Sequence, residues 1–515
     1  MTDRFGSDNS EDFLQLQRHR AESPSAIALT SLERAALTYL ELDDRLQALR
    51  RDAAAAGLHR GEIAALVLPN GLDLIAAFLA VSGIGAGAPL DPSFTESEFR
   101  YYLNRLGARI VIVPDGAASP AVAAAGALRI PVLRIRPPGA FLYTAPDHTQ
   151  AAMSFRTTDA ALLLFTSATT GTPKLVPLTW TNLHAMATRE ISALQLSPAD
   201  RLLSLMPLFH LHGLAAVLAQ LFCGGAVITT SGFNPATFLA DLDRLQPTWF
   251  TSSPPVNRAI LALARQHPEA FRRGSLRFIR TTGAAPQPEV LTSLEESAGV
   301  PVLGGYGLTE TGGVTRNTTN ARKPGSAGRS SGLEVAIVDP LENLIVDGGE
   351  GEIVVRGPSV TSGYIDDPDA NQSTFRNGWF HTGDVGRLDS EKFLFITGRI
   401  KEIIVRGGEK IIPQGVEDVL AEHPAVAEAV VFAVAHPTLG EDIAAVVVLR
   451  EGSAATALEL RRFAATRLAP FKVPRRIEFL DRIPRTSTGK PQRSLLVERF
   501  RASSLMQLSK STFGS

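Results

Sequence analysis

The chain reads ALLLF at residues 161–165 and continues directly as TSATTGTPK at residues 166–174. The first segment is an apolar run with the length of a buried β-strand. The second segment places hydroxyl side chains, a glycine, a proline and a lysine in one loop. Hydroxyls and exposed backbone N–H groups donate hydrogen bonds to phosphate oxygens, and lysine adds a positive charge. Because the segment lacks the GxxxxGK[ST] spacing of a Walker A loop, two interpretations stay open: a phosphate-binding loop and a threonine-rich turn.

Strand and helix patterns alternate on both sides of this loop. Apolar periodicity predicts amphipathic helices at residues 40–56 and 72–82, and strands at residues 62–68 and 110–114. Alternation of this kind is typical of a layered α/β architecture with largely parallel sheets.

The pattern of predicted secondary structure changes after about residue 325. Short β-rich segments separated by turn residues predict a small barrel or sandwich-like subdomain up to about residue 389. A compact α+β part follows a boundary that we place near residues 399–401. Its predicted elements are helices at 411–423 and 458–468 and strands at 429–434 and 444–449.

Composition excludes several classes of function. The 515 residues carry a net charge of −1, so we expect no nucleic-acid partner. Cys223 is the only cysteine, which excludes an intrachain disulfide and a cysteine-built zinc site. The polar start of the chain lacks the apolar core of a signal peptide, and glycine or polar residues interrupt the most apolar windows. We therefore expect a cytoplasmic enzyme without a membrane span.

Polar stretches that follow the loop carry a resemblance to a known family. They are MPLFHLHG at 206–213, YGLTET at 306–311, WFHTGD at 379–384, GRIKE at 398–402 with RGGEK at 406–410, and PRTSTGK at 484–490. In this order, behind the loop at 166–174, they resemble the acyl-adenylate-forming superfamily. That superfamily contains acyl-CoA synthetases, adenylation domains of peptide synthetases and luciferases. The resemblance extends from about residue 37 to about residue 496.

The resemblance implies an α/β fold with a mobile C-terminal part. Residues 1–399 would form an AMP-binding domain of two α/β sheets plus a small β-barrel subdomain at about 325–399. Residues 400–401 would be the hinge, and residues 402–515 a small α+β C-terminal domain. In this family the C-terminal domain turns between the two steps of the reaction.

The resemblance also implies an ATP-dependent, AMP-forming acid–thiol ligase. A carboxylate attacks the α-phosphate of ATP with Mg²⁺ bound, which gives acyl-AMP and pyrophosphate. A thiol, most often that of coenzyme A, then takes the acyl group. A carrier-protein pantetheine and an amine are alternative acceptors. A third hypothesis is a nucleotide-binding protein that keeps the fold without the chemistry, and the retained polar motifs argue against it.

Each proposed catalytic residue matches a motif position of the family. Lys490 would bridge the substrate carboxylate and the α-phosphate, and Glu310 would coordinate Mg²⁺, a cation that prefers oxygen ligands. Thr309 would donate to the α-phosphate, and His210 would gate the acyl pocket. Ordinary structural interpretations also exist: an exposed loop lysine, a carboxylate at a helix N-terminus for Glu310, and a satisfied interior histidine for His210.

The remaining assignments concern the nucleotide and the thiol. Tyr306 would stack on adenine, while Asp384 and Arg399 would contact the ribose. Lys401 would lie at the hinge, and the segment 406–410 would line a channel for the thiol. The full set of predicted cofactor-binding residues is Thr166, Ser167, Thr169, Thr170, Gly171, Lys174, Gly283, Ala284, Ala285, Tyr306, Gly307, Asp384, Arg399, Lys401, Gly407 and Gly408.

Two departures from the family pattern bear on affinity and substrate. Ala168 occupies a loop position where the family usually has glycine. The motif texture is closest to the oxalate–CoA ligase branch, yet residues 282–285 and 311–313 offer few polar side chains for a second carboxylate. We expect instead a roomy slot for a bulky aromatic or medium-chain acid, with glycines in its wall. The predicted pocket residues are His210, Gly304, Gly305, Gly312 and Gly313.

Overall fold

The structure is a computed structural model that describes residues 14–116, 118–136, 140–144, 158–166, 173–283, 288–346, 348–485 and 491–500. The chain divides into two compact units. Unit one comprises the described parts of residues 1–166, 174–334 and 356–378. Unit two comprises the described parts of residues 167–173, 335–355 and 379–515. The hinge predicted at residues 400–401 stays a prediction.

Helices and strands alternate through the first part of unit one. They are α1 (Leu14–Glu22), β1 (Ile27–Ser31), β2 (Leu37–Thr38), α2 (Tyr39–Ala55), β3 (Ile63–Leu66), α3 (Leu72–Val81), β4 (Ala86–Pro89), α4 (Glu96–Leu106), β5 (Ile110–Pro114), α5 (Pro120–Ala127), β6 (Val132–Arg136) and β7 (Ala140–Thr144).

The alternation continues through the part of the chain that carries most of the motifs. The elements are β8 (Leu162–Phe165), β9 (Leu175–Leu178), α6 (Trp180–Leu194), β10 (Arg201–Ser204), α7 (Leu211–Phe222), β11 (Ala226–Thr229), α8 (Phe238–Leu245), β12 (Trp249–Ser252), α9 (Pro254–Gln266), α10 (Pro268–Arg272), β13 (Phe278–Thr281), α11 (Pro288–Ala298), β14 (Val302–Leu308) and β15 (Gly312–Arg316).

Strands dominate the remainder. The elements are β16 (Arg329–Ser330), β17 (Glu334–Val338), β18 (Gly351–Arg356), α12 (Pro368–Thr374), β19 (Phe375–Arg376), β20 (Trp379–Leu388), β21 (Leu394–Arg399), β22 (Ile404–Arg406), β23 (Glu409–Ile411), α13 (Pro413–Ala421), β24 (Val426–His436), β25 (Gly440–Leu449), α14 (Ala457–Ala465) and β26 (Arg476–Phe479). Short 3₁₀ turns span Ile400–Glu402 and Pro470–Lys472.

Unit one contains two largely parallel sheets, as the alternation predicts. The described strands of one run in the order β16-β15-β14-β13-β12-β10-β11-β1-β2, and those of the other in the order β7-β6-β5-β3-β4-β8-β9. Strands β10 to β14 pair in parallel, as do β3 to β6. The carboxyl ends of parallel neighbours meet at one edge, where ligands of open α/β sheets bind.

An aromatic core joins helices from the two sheets. The Trp180 ring lies 6.3 Å from Phe78 and 6.5 Å from Phe222, measured between ring centroids. The indole Nε1 of Trp180 donates to the carbonyl oxygen of Ser82 at 2.8 Å, so its one polar atom is satisfied on burial. This packing fixes the start of α6, the helix whose last turns reach the candidate site.

Unit two is built mostly from antiparallel pairings, and its β26 pairs in parallel with β25. Strand β20 pairs antiparallel with β18 and with β21, which supports the β-rich region expected from the sequence. A second sheet has its described strands in the order β23-β22-β25-β24, and β26 pairs with β25. None of the described helices is long and apolar enough to cross a membrane.

Candidate active site

The threonine-rich loop connects two antiparallel strands. Strands β8 and β9 pair from Leu162 with Leu178 to Phe165 with Leu175. At the base of the loop, Thr166 N–H donates to the carbonyl oxygen of Lys174 at 2.9 Å, and Lys174 N–H donates to Thr166 Oγ1 at 3.2 Å. These bonds close the base of the loop, and Lys174 directly precedes the returning strand β9.

Lys174 and Glu310 meet through a tyrosine that the sequence analysis missed. The Nζ atom of Lys174 lies 4.3 Å from the centroid of the Tyr364 ring, which is cation–π distance. The Tyr364 hydroxyl donates to Glu310 Oε1 at 2.8 Å. Burial and the adjacent Glu310 carboxylate raise the pKa of Tyr364, so the hydroxyl stays protonated and remains a donor. One side chain thus touches both the predicted phosphate lysine and the predicted metal carboxylate.

Backbone contacts hold this group in place. Ile365 N–H donates to the carbonyl oxygen of Leu175 at 2.9 Å, and Thr361 Oγ1 donates to that of Pro177 at 2.6 Å. Thr361 N–H also donates to the carbonyl oxygen of Glu310 at 2.8 Å. The segment around Thr361 and Ile365 therefore ties the turn that carries Glu310 to strand β9. Glu310 lies between two strands, not at a helix N-terminus, so that alternative was wrong.

Gly283 and Tyr306 lie at neighbouring strand ends. Strands β13 and β14 pair in parallel with Thr281 opposite Gly304, so the chain after β13 runs beside Tyr306. Gly283 has a φ of +107°, a backbone conformation that side chains rarely adopt. Tyr306 is 8% exposed. This arrangement suits a flat ring at the carboxyl edge of the sheet, as the sequence predicts for adenine.

Gly307 is required by a close backbone approach. A Cβ atom at this position would lie 2.5 Å from the carbonyl oxygen of Gly312 on the antiparallel strand β15. The register between β14 and β15 shifts at Tyr306 and Gly307, which indicates a bulge there. The glycine thus serves the geometry of the motif, whatever contact it makes with a nucleotide.

The glycines of the predicted acyl pocket do not open a roomy slot. A Cβ atom on Gly312 would lie 2.7 Å from the side chain of Met186, and one on Gly313 would lie 2.4 Å from Nη2 of Arg316. The space beside these glycines is already filled, so the sequence-based expectation was wrong at both positions. A Cβ atom on Gly304 would have its nearest neighbour at 3.6 Å, and one on Gly305 would have its nearest neighbour at 3.1 Å.

A small pocket lies beside Gly305 and Gly313, and its wall is polar. Its free volume is about 10 Å³, close to the room that one water molecule needs. Residues 282–285 and 311–313 contribute few polar side chains, as the sequence predicts, but arginines from β13 and β15 lie outside those positions. The lining residues that carry polar side chains are Arg280, Thr282, Tyr306, Thr315, Arg316 and Asn317.

His210 and His212 have different surroundings. His210 is half-buried at the N-cap of α7, with its ring 4.6 Å from that of Phe209. His212 Nε2 lies 2.5 Å from Thr251 Oγ1, and Arg280 Nη1 donates to the same hydroxyl at 3.0 Å. Burial, together with repulsion by Arg280 and His210, lowers the pKa of His212 and keeps it neutral. The gating role of His210 stays a prediction.

In unit two, Asp384 and Arg399 form an ion pair. They face each other across strands β20 and β21, with Arg399 Nε 2.6 Å from Asp384 Oδ1. The side chain of Asp384 is buried, while that of Arg399 is 36% exposed. Sequence spacing alone could not pair them, because they are brought together by strand register.

The segment 406–410 is a tight hairpin. Arg406 pairs with Glu409 across a two-residue turn in which Gly407 and Gly408 have φ values of +59° and +90°. Both values fit a type I′ turn, which glycine favours. Arg406 Nε donates to Asp442 Oδ1 at 2.6 Å. Lys401 is exposed in the preceding 3₁₀ turn.

Several predicted site residues lie outside the described residues. Arg485 and Pro491, the described residues on either side of 486–490, pair as a β-bridge. The roles of the residues outside the described ranges stay predictions. They are Ser167, Ala168, Thr169, Thr170, Gly171, Ala284, Ala285 and Lys490.

The donor set fits ATP-bound Mg²⁺ better than a protein-only metal site. Within the described ranges, no group of three or more His, Cys, Asp or Glu side chains could hold a metal. Mg²⁺ at phosphate sites typically takes one or two carboxylates plus phosphate oxygens and waters. The buried Glu310 carboxylate, which accepts a hydrogen bond from Tyr364, would supply such a ligand, and this role stays a prediction.

Comparison with known families agrees with this site. The family of AMP-binding enzymes matches residues 16–365, and the C-terminal domain of AMP-binding enzymes matches residues 415–490. The chain belongs to the AMP-binding enzyme family, whose fold is a large N-terminal α/β domain with a small C-terminal domain. It is an AMP-forming acid–thiol ligase by class.

Individual relatives cover nearly the whole chain. The chain is 38% identical to "Probable CoA ligase CCL9" of Humulus lupulus, over 90% of this chain and 92% of that protein. It is 36% identical to the oxalate–CoA ligase of Arabidopsis thaliana, over 93% and 96% of the two chains. The ATP-bound crystal structure of MatB from Rhodopseudomonas palustris superposes with a TM-score of 0.86 at 28% identity, over 94% and 98%.

Proposed function

We propose that this enzyme joins a carboxylic acid to coenzyme A in two steps, through an acyl-AMP formed from ATP with release of pyrophosphate. The observation that carries the proposal is the contact of Tyr364 with both Lys174 and Glu310. This contact brings the side chains of Lys174 and Glu310 together, which supports a phosphate-binding cation acting beside a metal-binding carboxylate. Adenylation needs both, because the two reacting groups are anionic and their repulsion must be offset.

The residues divide the work of the first step. Lys174 stabilises the leaving phosphates, and Glu310 holds Mg²⁺, which supplies positive charge to the phosphates when bound. Thr309 donates to the α-phosphate. Lys490 bridges the attacking carboxylate and the α-phosphate as a point charge. Asp384 accepts from the ribose hydroxyls, and its ion pair with Arg399 orients the carboxylate.

Coenzyme A is the acceptor that the comparisons support best. Relatives that match most of the chain are named as CoA ligases. In unit two, Arg406 Nη1 donates to the carbonyl oxygen of Phe471 at 3.3 Å, which brings the glycine hairpin next to Lys472. These cations suit a phosphate-bearing thiol. A carrier-protein pantetheine or an amine is the alternative, and no contact among the described residues favours either.

The acid is the finer part of the proposal. The expectation of a bulky aromatic or medium-chain acid rested on wall glycines, and Met186 and Arg316 fill the space beside two of them. The polar wall instead supports a small acid. Its chemical class is the subject of the next section.

Pyrophosphate release with a panel of carboxylic acids tests the proposed function. We expect release to require ATP, Mg²⁺ and an acid. Replacing the predicted bridging lysine, Lys490→Ala, should lower the rate at least about 10²-fold, as loss of other transition-state donors does. Lys392→Ala, at an exposed turn of the same unit, should leave the rate unchanged. Release that is independent of every acid would contradict the proposal.

A further inference from the structure

Three buried arginines and one glutamate lie together, and two of the arginines, Arg280 and Arg316, line the small pocket. Arg189 and Glu190 lie on the last turns of α6, Arg280 on β13 and Arg316 on β15. The side chains of Arg316 and Glu190 are 6% and 7% exposed, and that of Arg280 is 12% exposed. Charged side chains are rarely buried this deeply unless they are paired or functional.

Two of these arginines pair with the same carboxylate, that of Glu190. Arg280 Nε lies 2.7 Å from Glu190 Oε1, and Arg316 Nη1 contacts Glu190 Oε2. Arg189 Nη2 donates instead to the carbonyl oxygen of Gly313 at 2.5 Å. Among the described residues, Glu190 is the one carboxylate that pairs with them. The group therefore carries an excess of two positive charges, counting these four side chains.

The excess charge is poorly satisfied. Within the described part of the chain, Nε of Arg316 lacks a hydrogen-bond acceptor, as do Nε and Nη1 of Arg189, while Nη1 of Arg316 contacts Glu190. Burial lowers the pKa of Arg280 to about 10, and burial with repulsion by Arg189 lowers the pKa of Arg316 to about 9. All three guanidiniums nonetheless stay protonated at neutral pH, since each pKa is above 7. Unsatisfied buried donors are costly unless a ligand completes them.

The charged group faces the pocket that adjoins the predicted nucleotide site. Arg280 and Arg316 both line it, together with Gly305 and Tyr306. Gly313 also lines it, and a side chain there would collide with the Arg316 guanidinium. The glycine thus leaves room for an arginine head group, and not for a bulky acyl chain.

We propose that Arg316, with Arg280, binds a second anionic group on the substrate acid, so that the enzyme prefers short acids with a carboxylate or sulfonate at the far end. This inference rests on the proposed function, because the pocket must receive the acid that is adenylated. A planar guanidinium can donate two parallel hydrogen bonds to either group, which gives both attraction and geometry. The Arg316 head group occupies the space beside Gly313 that a long acyl chain would need, so the acid is short.

The first test compares acids in pairs with the unmodified enzyme. Malonate and sulfoacetate each carry a second anionic group, and propionate is a monoacid of similar length. We expect the kcat/KM for acid-dependent pyrophosphate release to be about 10²-fold or more higher for the two-anion acids, because a buried polar site left unpaired rejects the analogue that lacks its partner. The two probes also separate carboxylate from sulfonate.

The second test removes the guanidinium. Arg316→Met should abolish the preference for two-anion acids while leaving the KM for ATP unchanged, and Arg316→Lys should retain part of it. Arg277→Met is the matched control, because Arg277 pairs with the buried Asp200 outside the pocket lining. That variant should keep the preference. Thermal unfolding of each variant reports whether it folds.

The outcomes separate the two proposals. Equal turnover of propionate and malonate by the unmodified enzyme would overturn the anion subsite and leave the proposed function standing. Absence of pyrophosphate release with every acid would overturn the proposed function itself. A change confined to the KM for ATP in Arg316→Met would assign the arginine to the nucleotide and contradict the subsite. The comparison in the unmodified enzyme decides even where a variant fails to fold.

Discussion

Individual side chains of the candidate site are oriented by direct contacts with one another. Tyr364 is the clearest case, since its hydroxyl fixes one oxygen of Glu310 and its ring lies under Lys174. A buried carboxylate with one oxygen held in place presents the other in a defined direction, which suits a metal ligand. We regard Tyr364 as a positioning residue for Glu310.

Removing the Tyr364 hydroxyl should weaken metal use. In Tyr364→Phe, the Glu310 carboxylate loses the hydrogen bond that the tyrosine hydroxyl donates to it. A hydrogen bond to a charged group contributes about 1.5–3 kcal/mol, so adenylation should slow roughly 10-fold or more. The Mg²⁺ concentration for half-maximal pyrophosphate release should rise. A titration of the rate against Mg²⁺ at saturating ATP measures both.

A second buried tyrosine supplies the control for this prediction. Tyr39 donates its hydroxyl to the carbonyl oxygens of Leu221 and Gly225, away from the Glu310 contact. Tyr39→Phe should reduce thermal stability without changing the Mg²⁺ dependence. If both variants shifted the Mg²⁺ titration equally, Tyr364 would have no specific role in positioning Glu310.

At the scale of elements, a short glycine turn sets the direction of the segment at residues 406–410. The hairpin of β22 and β23 turns on Gly407 and Gly408, and both residues have positive φ. Gly407 N–H also donates to the carbonyl oxygen of Leu439 at 2.9 Å, which docks the turn onto the loop between β24 and β25. The hairpin tip therefore has a fixed direction within unit two.

A substitution in this turn should affect thioester formation more than adenylation. Gly408→Ala meets no neighbouring atom within 4 Å, so its effect is backbone strain at φ +90°, about 1–2 kcal/mol. We expect slower CoA-dependent thioester formation with an unchanged rate of pyrophosphate release. Gly452→Ala is matched, because Gly452 also has a positive φ of +73° and open surroundings. An equal loss in both variants would show that strain alone, and not the hairpin, limits the thiol step.

The elements were largely predictable from the sequence, because their signals are local. Helix α3 was predicted at residues 72–82 and spans Leu72–Val81, and strand β5 was predicted at its observed bounds, Ile110–Pro114. The alternation of such signals also predicted parallel sheets. Periodicity and turn residues act within a few positions, so a single sequence displays them.

The wall of the pocket could not be predicted in the same way. Arg280 lies in the apolar run of β13, and Arg316 follows glycines and Val314 in β15. A charge inside a buried strand is a signal, yet it does not reveal which residues it faces. Glu190 contacts both arginines from helix α6, which lies far earlier in the chain, so only the fold creates these contacts.

At the scale of the whole molecule, each unit carries a different group of the residues predicted to act in the reaction. Unit one carries the loop base, Glu310, Tyr306 and the pocket, while unit two carries Asp384, Arg399 and the glycine hairpin. The family match over residues 16–365 and 415–490 includes motifs from both units. We therefore expect the enzyme to carry out two chemical steps in one chain, with acyl-AMP as the intermediate between them.

Trapping the intermediate tests this account most directly. The enzyme is mixed with ATP, Mg²⁺ and malonate without coenzyme A, quenched after about one turnover and analysed by mass spectrometry. We expect an enzyme-bound acyl-AMP in an amount close to that of the enzyme, which is converted to AMP and an acyl-CoA thioester when coenzyme A is added. Release of ADP and phosphate, or thioester formation with no acyl-AMP in any time course, would contradict the account.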